Sequence, residues 1–144
     1  MRESITVEEQ RFIDDFELLE DWLFQFEYLM EKAGTAEQYP EDQKDESHRI
    51  PGCQSRVWVL TEKMENGHIH IRADSDSLLV KGMLAVAVEL LNGRTPEEIC
   101  TYQERYISET SLRSQITTDR FGGLHAAIQA IQEAAVQLSR LCRD

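Results

Sequence analysis

The stretch RVWVLTEKMENGHIHIRADSDSLLVKGMLAVAVELLNG, residues 56–93, decides the fold because it predicts an antiparallel hairpin followed by an apolar helix. Residues 56–63 and 68–73 alternate in the way that strands do, and Asn66-Gly67 between them is a typical hairpin turn. Apolar side chains occur on both faces of the first strand. We therefore expect both faces of the sheet to be covered.

The helix that follows this hairpin has little polar surface along its predicted length. Ser75 or Asp76 can cap its start, and Gly93 can end it just after Asn92. Because apolar residues occupy nearly every turn, we expect it to be the central buried helix of the domain.

Further helices are predicted before this unit. A helical region covers about residues 7–33. Asp21 can cap its second half, and Gly34 can end it. A polar loop that contains Pro40 then leads to the hairpin.

Helices are also predicted after the central unit. Thr95-Pro96-Glu97-Glu98 spells a capping box with proline at the first helical position. A polar linker over 108–118 precedes a last helix from about Arg120. The order α-α-β-β-α-α-α predicts a single α+β domain over 1–144, with an antiparallel sheet of about three strands packed against helices.

Charge and composition limit the classes of partner. The 144 residues carry a net charge of −12 at pH 7, which argues against nucleic acid and anionic membrane surfaces. We find no apolar run long enough to span a membrane and no secretion signal, so we expect a cytoplasmic protein. Residues 1–48 hold most of the excess acid, which either steers a basic partner or keeps the protein soluble.

Three cysteines, Cys53, Cys100 and Cys142, are too few and too widely spaced for a disulfide framework. Cys53 differs from the others because it lies between Gly52 and Gln54, in a turn just before a strand. Such a turn can present a thiol to a partner. A buried structural cysteine is the alternative at this position.

The four histidines suggest two other kinds of site. His68 and His70 share one face of a strand and could share a zinc ion, but no third ligand occurs at a suitable spacing. Because the pair falls on the polar face of the hairpin, the sequence favours two solvated imidazoles instead. A cysteine hydrolase with His48 or His125 as base has no supporting local motif.

Four segments carry a resemblance to a known family. IPGCQSRVWV (50–59), ADSDSLLVKGMLAVAVELLNGRTPEEI (73–99), TDRFGGLHAAIQAI (118–131) and DWLFQFEYLMEKAG (21–34) resemble the SufE family. Members of that family accept sulfur from cysteine desulfurases during iron–sulfur cluster assembly. The resemblance covers about residues 12–140 and implies the α+β fold shared with the IscU-type scaffold.

The resemblance implies that Cys53 is the sulfur-accepting residue, with Gly52, Gln54 and Ser55 as its supporting neighbours. It also implies a SufS-like or CsdA-like cysteine desulfurase as partner and a cluster scaffold downstream. Pyridoxal phosphate then belongs to the desulfurase, and we expect no cofactor on this chain.

Further residues match the family's motifs: Asp74, Asp76, Lys81 and Gly82 match the second one, and Arg120 with Gly123-Leu124 matches the segment before the last helix. Asp74 is expected to end the second strand near the cysteine loop, and Arg120 to lie close enough to Cys53 to favour its thiolate or the docked state. Asp76 is expected to cap a helix, and Gly82 to be a helix–sheet packing point.

One segment departs from the family pattern. The usual His-Leu-Ser/Thr-Pro-Ser-Arg run is replaced by Gln115-Ile116-Thr117-Thr118-Asp119-Arg120, which affects docking or activation rather than sulfur acceptance by Cys53. Two other functions stay open at this point: a scaffold that holds a cluster or metal, and a thiol redox sensor. The identity of the desulfurase and pairing with a second copy also stay open.

Overall fold

The structure, a computed structural model, describes residues 2–51 and 55–141, without the side chains of 118, 119 and 141. No helix in these ranges combines the length and apolar content needed to cross a bilayer. The elements in chain order are α1 (Ile5–Leu18), α2 (Trp22–Thr35), a short 3-10 helix (Glu41–Gln43), β1 (Val57–Lys63), β2 (Ile69–Ser75), α3 (Leu78–Leu91), α4 (Pro96–Thr101), α5 (Leu112–Gln115) and α6 (Thr118–Leu141).

The predicted hairpin is confirmed. β1 and β2 pair antiparallel, and Trp58 lies opposite Asp74 in the register. Gly67 in the turn has a φ of 85°, a left-handed conformation that glycine adopts without strain. Val57, Trp58 and Val59 are all buried, so both faces of β1 are covered as expected.

The expected sheet of about three strands is wrong in its strand count, because the described residues form a sheet of two strands. The segment before the cysteine loop runs beside β1 only as far as an isolated bridge between Arg49 and Trp58. A 3-10 helix and a turn precede that bridge and Pro51 follows it, so the extended stretch is too short for a strand. The α+β class itself is confirmed.

The central buried helix is α3, as predicted. Nine of its residues are buried, between the hairpin and the other helices. Its N-cap is Ser77, whose hydroxyl accepts a hydrogen bond from the Val80 N–H. The predicted caps Ser75 and Asp76 are therefore wrong, because β2 extends through Ser75 and Asp76 bonds Arg56 instead.

Gly82 is a packing point between two helices, not between a helix and the sheet as predicted. A Cβ at Gly82 would lie 3.0 Å from Leu29 Cβ and 3.1 Å from the Leu29 carbonyl oxygen. Leu29 belongs to α2, so glycine at position 82 lets the backbones of α2 and α3 approach closely.

The N-terminal helices follow the sequence closely. α1 begins at Ile5 because the Ser4 hydroxyl caps it, two residues before the predicted start. Asp21 caps α2 as predicted, with its carboxylate accepting from the Leu23 N–H. α2 then runs one residue past Gly34, the predicted end.

The C-terminal part contains one helix more than expected. The Thr95–Glu98 capping box at the start of α4 is confirmed. The polar linker over 108–118 contains α5, a single turn that buries Leu112. α6 begins at Thr118, two residues before the predicted start, and packs against α4 and β1.

Candidate functional site

The candidate nucleophile Cys53, with Gly52 and Gln54, lies outside the described residues, as does Cys142. The structure does describe the two chain ends that enter and leave this segment. The Ile50 N–H donates to the Val57 carbonyl at 2.8 Å, which ties these ends together. The described residues on either side of the cysteine segment are therefore joined by a backbone hydrogen bond.

A second set of hydrogen bonds anchors the outgoing end at Arg56, next to Ser55. The Arg56 N–H and Nε donate to the two carboxylate oxygens of Asp76 at 2.9 and 3.0 Å. The Asp76 N–H donates back to the Arg56 carbonyl at 3.2 Å. Burial opposes ionisation of Asp76, but the bonds from Arg56 outweigh it and hold the pKa of Asp76 below its ordinary value. Asp76 thus joins Arg56, just ahead of β1, to the residues just before α3.

Asp74 is a buried carboxylate at the end of β2, as its predicted place in the second strand implies. Its oxygens lie 3.0 Å from Lys44 Nζ and 3.6 Å from Lys81 Nζ, and one of them accepts from the Ser75 N–H. A buried charge needs such partners, because isolation from water is costly. Asp74 therefore links the 3-10 region, the hairpin and α3 into one frame.

Trp58 lies directly across the hairpin from Asp74 and is almost fully buried. Lys44 Nζ is 5.5 Å from the centre of its ring, and Arg56 Cζ is 5.9 Å away. Both distances permit a cation–π attraction. These contacts fix the indole on the strand that leaves the cysteine loop.

A cavity of about 370 Å³ opens beside Asp74. Glu37, Glu41 and Asp74 line it together with Lys44 and Lys81, so its positive charges are already balanced by carboxylates. Hydrogen bonds from Lys44 to Glu41 and Asp74 raise the pKa of the lysine, which holds it in its charged form. The cavity consequently offers no surplus cation to an anionic ligand.

Arg120 lies in the first turn of α6, half-buried, with its N–H donating to the Thr117 hydroxyl at 3.3 Å. Its guanidinium forms no ion pair with any described side chain, and Glu109 pairs with Arg105. A cation gains nothing from the helix dipole at this end. Among the described side chains, Arg120 therefore has no carboxylate partner.

The segment that departs from the family pattern, 115–120, joins α5 to α6. Ile116 packs against the core, and the Thr117 hydroxyl bonds the third residue of α6 in the manner of an N-cap. The segment is thus built into the fold without the histidine and proline that the family pattern usually has.

Three of the histidines each bond one carboxylate. The distances are 2.7 Å for His48 to Asp45, 2.6 Å for His70 to Glu37 and 2.8 Å for His125 to Glu104. Across 2–51 and 55–141 no group of three or more His, Cys, Asp or Glu side chains converges in a way that could hold a metal ion.

Cys100 is an exposed free thiol on α4, and its Sγ lies 3.8 Å from the Gln132 carbonyl. It belongs to the contact between α4 and α6.

Sequence analysis did not identify two residues that lie around the same cavity as Asp74. Lys44 and Tyr39 fall in the polar stretch that is typical of an exposed loop, yet Tyr39 is buried and Lys44 reaches Asp74 and Trp58. Burial raises the pKa of the Tyr39 phenol to about 12. Lys44 is the only Lys or Arg between 33 and 48, and that isolation in an acidic stretch was the available signal.

Two comparisons with known proteins bear on this arrangement. Residues 10–135 match the sequence model of the SufE family, described as an Fe-S metabolism associated domain. The fold is similar to the solution structure of a hypothetical protein from Thermus thermophilus, with a TM-score of 0.74 and 22% sequence identity. That similarity covers 93% of this chain and 96% of the Thermus chain, and it concerns the fold alone.

Proposed function

Since the chain belongs to the SufE family of Fe-S metabolism associated domains, we propose that it accepts sulfur from a cysteine desulfurase on Cys53. It binds and stimulates that enzyme, which is SufS-like or CsdA-like, and passes the sulfur on to iron–sulfur cluster assembly. The observation that carries the proposal is the family match over 10–135, a range that contains Cys53.

The chemical step is an exchange at sulfur. The Cys53 thiolate attacks the outer sulfur of the persulfide held on the desulfurase cysteine. A new S–S bond forms on Cys53, the S–S bond on the desulfurase breaks, and the desulfurase cysteine leaves as a thiolate. No electrons are gained or lost overall, so the step needs no oxidant, reductant or cofactor on this chain.

The frame supports this step by limiting where the thiol can go. Only three peptide steps separate Cys53 from Ile50, so Cys53 Cα can reach at most about 11 Å from Ile50 Cα. The bonds between Arg56 and Asp76 fix the other end of the same segment. A short segment on a rigid base can enter a partner's active site at a small entropic cost.

Arg120 is the residue that we propose to act on the charge of Cys53. Only the thiolate attacks, so a nearby cation that lowers the pKa of the thiol raises the reactive fraction. The guanidinium of Arg120 pairs with no described carboxylate, which leaves it able to stabilise a thiolate or a partner's carboxylate.

The test compares three cysteine variants with a purified desulfurase and L-cysteine. Wild type, Cys100→Ser and Cys142→Ser are expected to stimulate alanine release several-fold. Cys53→Ser is expected to bind the enzyme but not to stimulate it. Stimulation by Cys53→Ser equal to that by wild type would contradict the proposal.

The same experiment separates the two other functions. A scaffold would assemble a cluster on itself and show no persulfide. A redox sensor would form a stable sulfenic acid with peroxide and would leave the desulfurase rate unchanged.

A further inference from the structure

The turn between α1 and α2 carries an exposed apolar patch. Leu18, Leu23 and Phe24 are 78%, 60% and 56% exposed, and they fall within seven residues of one another. Large apolar side chains scattered singly need no explanation, but a group of them usually marks an interaction site. We call these three residues, together with Leu19, the turn patch.

A groove adjoins the turn patch. Leu19, Phe24 and Tyr28 form its apolar part, and the groove has a volume of about 460 Å³. Asp15, Glu27 and Glu31 complete its lining, so every charged side chain of the groove is a carboxylate. We call these three residues the rim. An apolar floor with a carboxylate rim suits a ligand that is itself apolar in the middle and basic at its edges.

The local charge around this groove is strongly negative. Residues 12–31 contain seven acidic residues and no Lys or Arg. None of the seven forms an ion pair with a described side chain. Two cations border this stretch. Lys32 lies over the Tyr28 ring and pairs with Glu89, and Arg11 pairs with Glu3, with a smaller attraction from Asp15. No carboxylate that lines the groove therefore forms an ion pair with a described side chain.

The turn is held rigidly by contacts behind the patch. The buried Gln25 donates from Nε2 to the Leu19 carbonyl at 2.6 Å and to the Ser111 hydroxyl at 3.0 Å. The Ser111 N–H donates to Glu17 at 3.0 Å. A surface that is fixed before binding loses little entropy when a partner arrives.

We infer that the turn patch and its groove form a docking surface for a protein segment that presents apolar side chains bordered by Lys or Arg. A membrane is a poor occupant, because anionic headgroups repel the rim. A second copy of this chain is also a poor occupant, since a two-fold contact would place one acidic rim against another. The inference rests on residues other than Cys53 and its neighbours and does not require the proposed sulfur transfer.

The test uses a synthetic 18-residue amphipathic helix with a leucine face and lysine flanks as the probe. Its binding to the full chain is followed by fluorescence anisotropy, beside a peptide in which glutamate replaces every lysine. The lysine peptide is expected to bind and the glutamate peptide is not. Equal binding of the two peptides, or no binding of either, would overturn the inference.

Matched variants separate this groove from the general acidity of the chain. Phe24→Ser is expected to weaken binding about tenfold, whereas Met64→Ser, at another exposed apolar residue, is expected to change it less than twofold. The pair Glu27→Gln/Glu31→Gln is compared with Glu97→Gln/Glu133→Gln, which removes the same charge elsewhere on the surface.

Equal losses from the paired glutamate variants would show attraction by net charge alone and would overturn the inference. Two further measurements test the other occupants. A concentration-dependent dimer that Phe24→Ser abolishes, or binding to phosphatidylserine vesicles through the same residues, would assign the surface to a second copy or to a membrane instead. Absence of both, with the expected loss in Phe24→Ser, supports a basic protein partner.

Discussion

Replacing Gly82 by alanine is expected to destabilise the protein, although alanine is the better helix former. The new Cβ would lie 3.0 Å from Leu29 Cβ and 3.1 Å from the Leu29 carbonyl oxygen. Carbon atoms pack best at about 3.5–4.0 Å, and a backbone oxygen cannot rotate away, so α2 must move. Overpacking of this kind costs about 1–3 kcal/mol. The gain in helix propensity is about 1 kcal/mol, which leaves an expected net loss of about 1 kcal/mol.

Gly122 supplies the matched control, because it also lies within a helix and a Cβ there would meet nothing within 4 Å. Gly122→Ala is therefore expected to stabilise the protein by about 0.5–1 kcal/mol. Urea denaturation followed by circular dichroism gives both free energies of unfolding. If the two variants shifted stability in the same direction by the same amount, the close approach of α2 and α3 at Gly82 would be refuted.

Three further outcomes are expected. Glu104→Gln should cost about 1–3 kcal/mol, because the buried carboxylate accepts several hydrogen bonds. These bonds outweigh burial and lower the pKa of Glu104, so the wild-type protein should lose stability as the pH falls below about 4. Thermal denaturation at several pH values should show a smaller loss for the variant. Asp76→Asn should cost only about 0–1 kcal/mol, because the pair is exposed, but should speed hydrogen exchange at the Arg56 amide in NMR. Arg120→Ala should leave the melting temperature unchanged and raise the apparent pKa of Cys53 alkylation; unchanged alkylation and unchanged transfer would remove Arg120 from the site.

Features that depend on local chemistry could be predicted from the sequence. The hairpin follows from alternation around Asn66-Gly67, and α3 follows from its apolar content. The Asp21 cap and the Thr95–Glu98 capping box each involve residues a few positions apart. In these cases the interaction that decides the structure lies within the segment itself.

Features that depend on distant contacts differ from the prediction. Ser75, Asp76 and Ser77 can all cap a helix, and the choice is made by β2, which extends through Ser75 to pair with Val57. The sequence shows that Gly82 lies in an apolar helix but not which element packs against it. Only the folded chain shows that this neighbour is α2 and not the sheet.

The candidate site could be predicted only in part for the same reason. The motif places Asp74 at the end of the second strand, and it lies there. Its partner Lys44 is thirty residues away in sequence, and only the folded chain brings the two charges together. The expected approach of Arg120 to Cys53 stays a prediction, because Cys53 lies outside the described residues.

The most direct test of the central claim is mass spectrometry of the chain after incubation with a cysteine desulfurase and L-cysteine. Alkylation under non-reducing conditions traps each persulfide before proteolysis. We predict one additional sulfur atom, located on the peptide that contains Cys53 and absent from the Cys53→Ser variant. Sulfur on Cys100 or Cys142 instead, or no added sulfur on any peptide, would contradict the account.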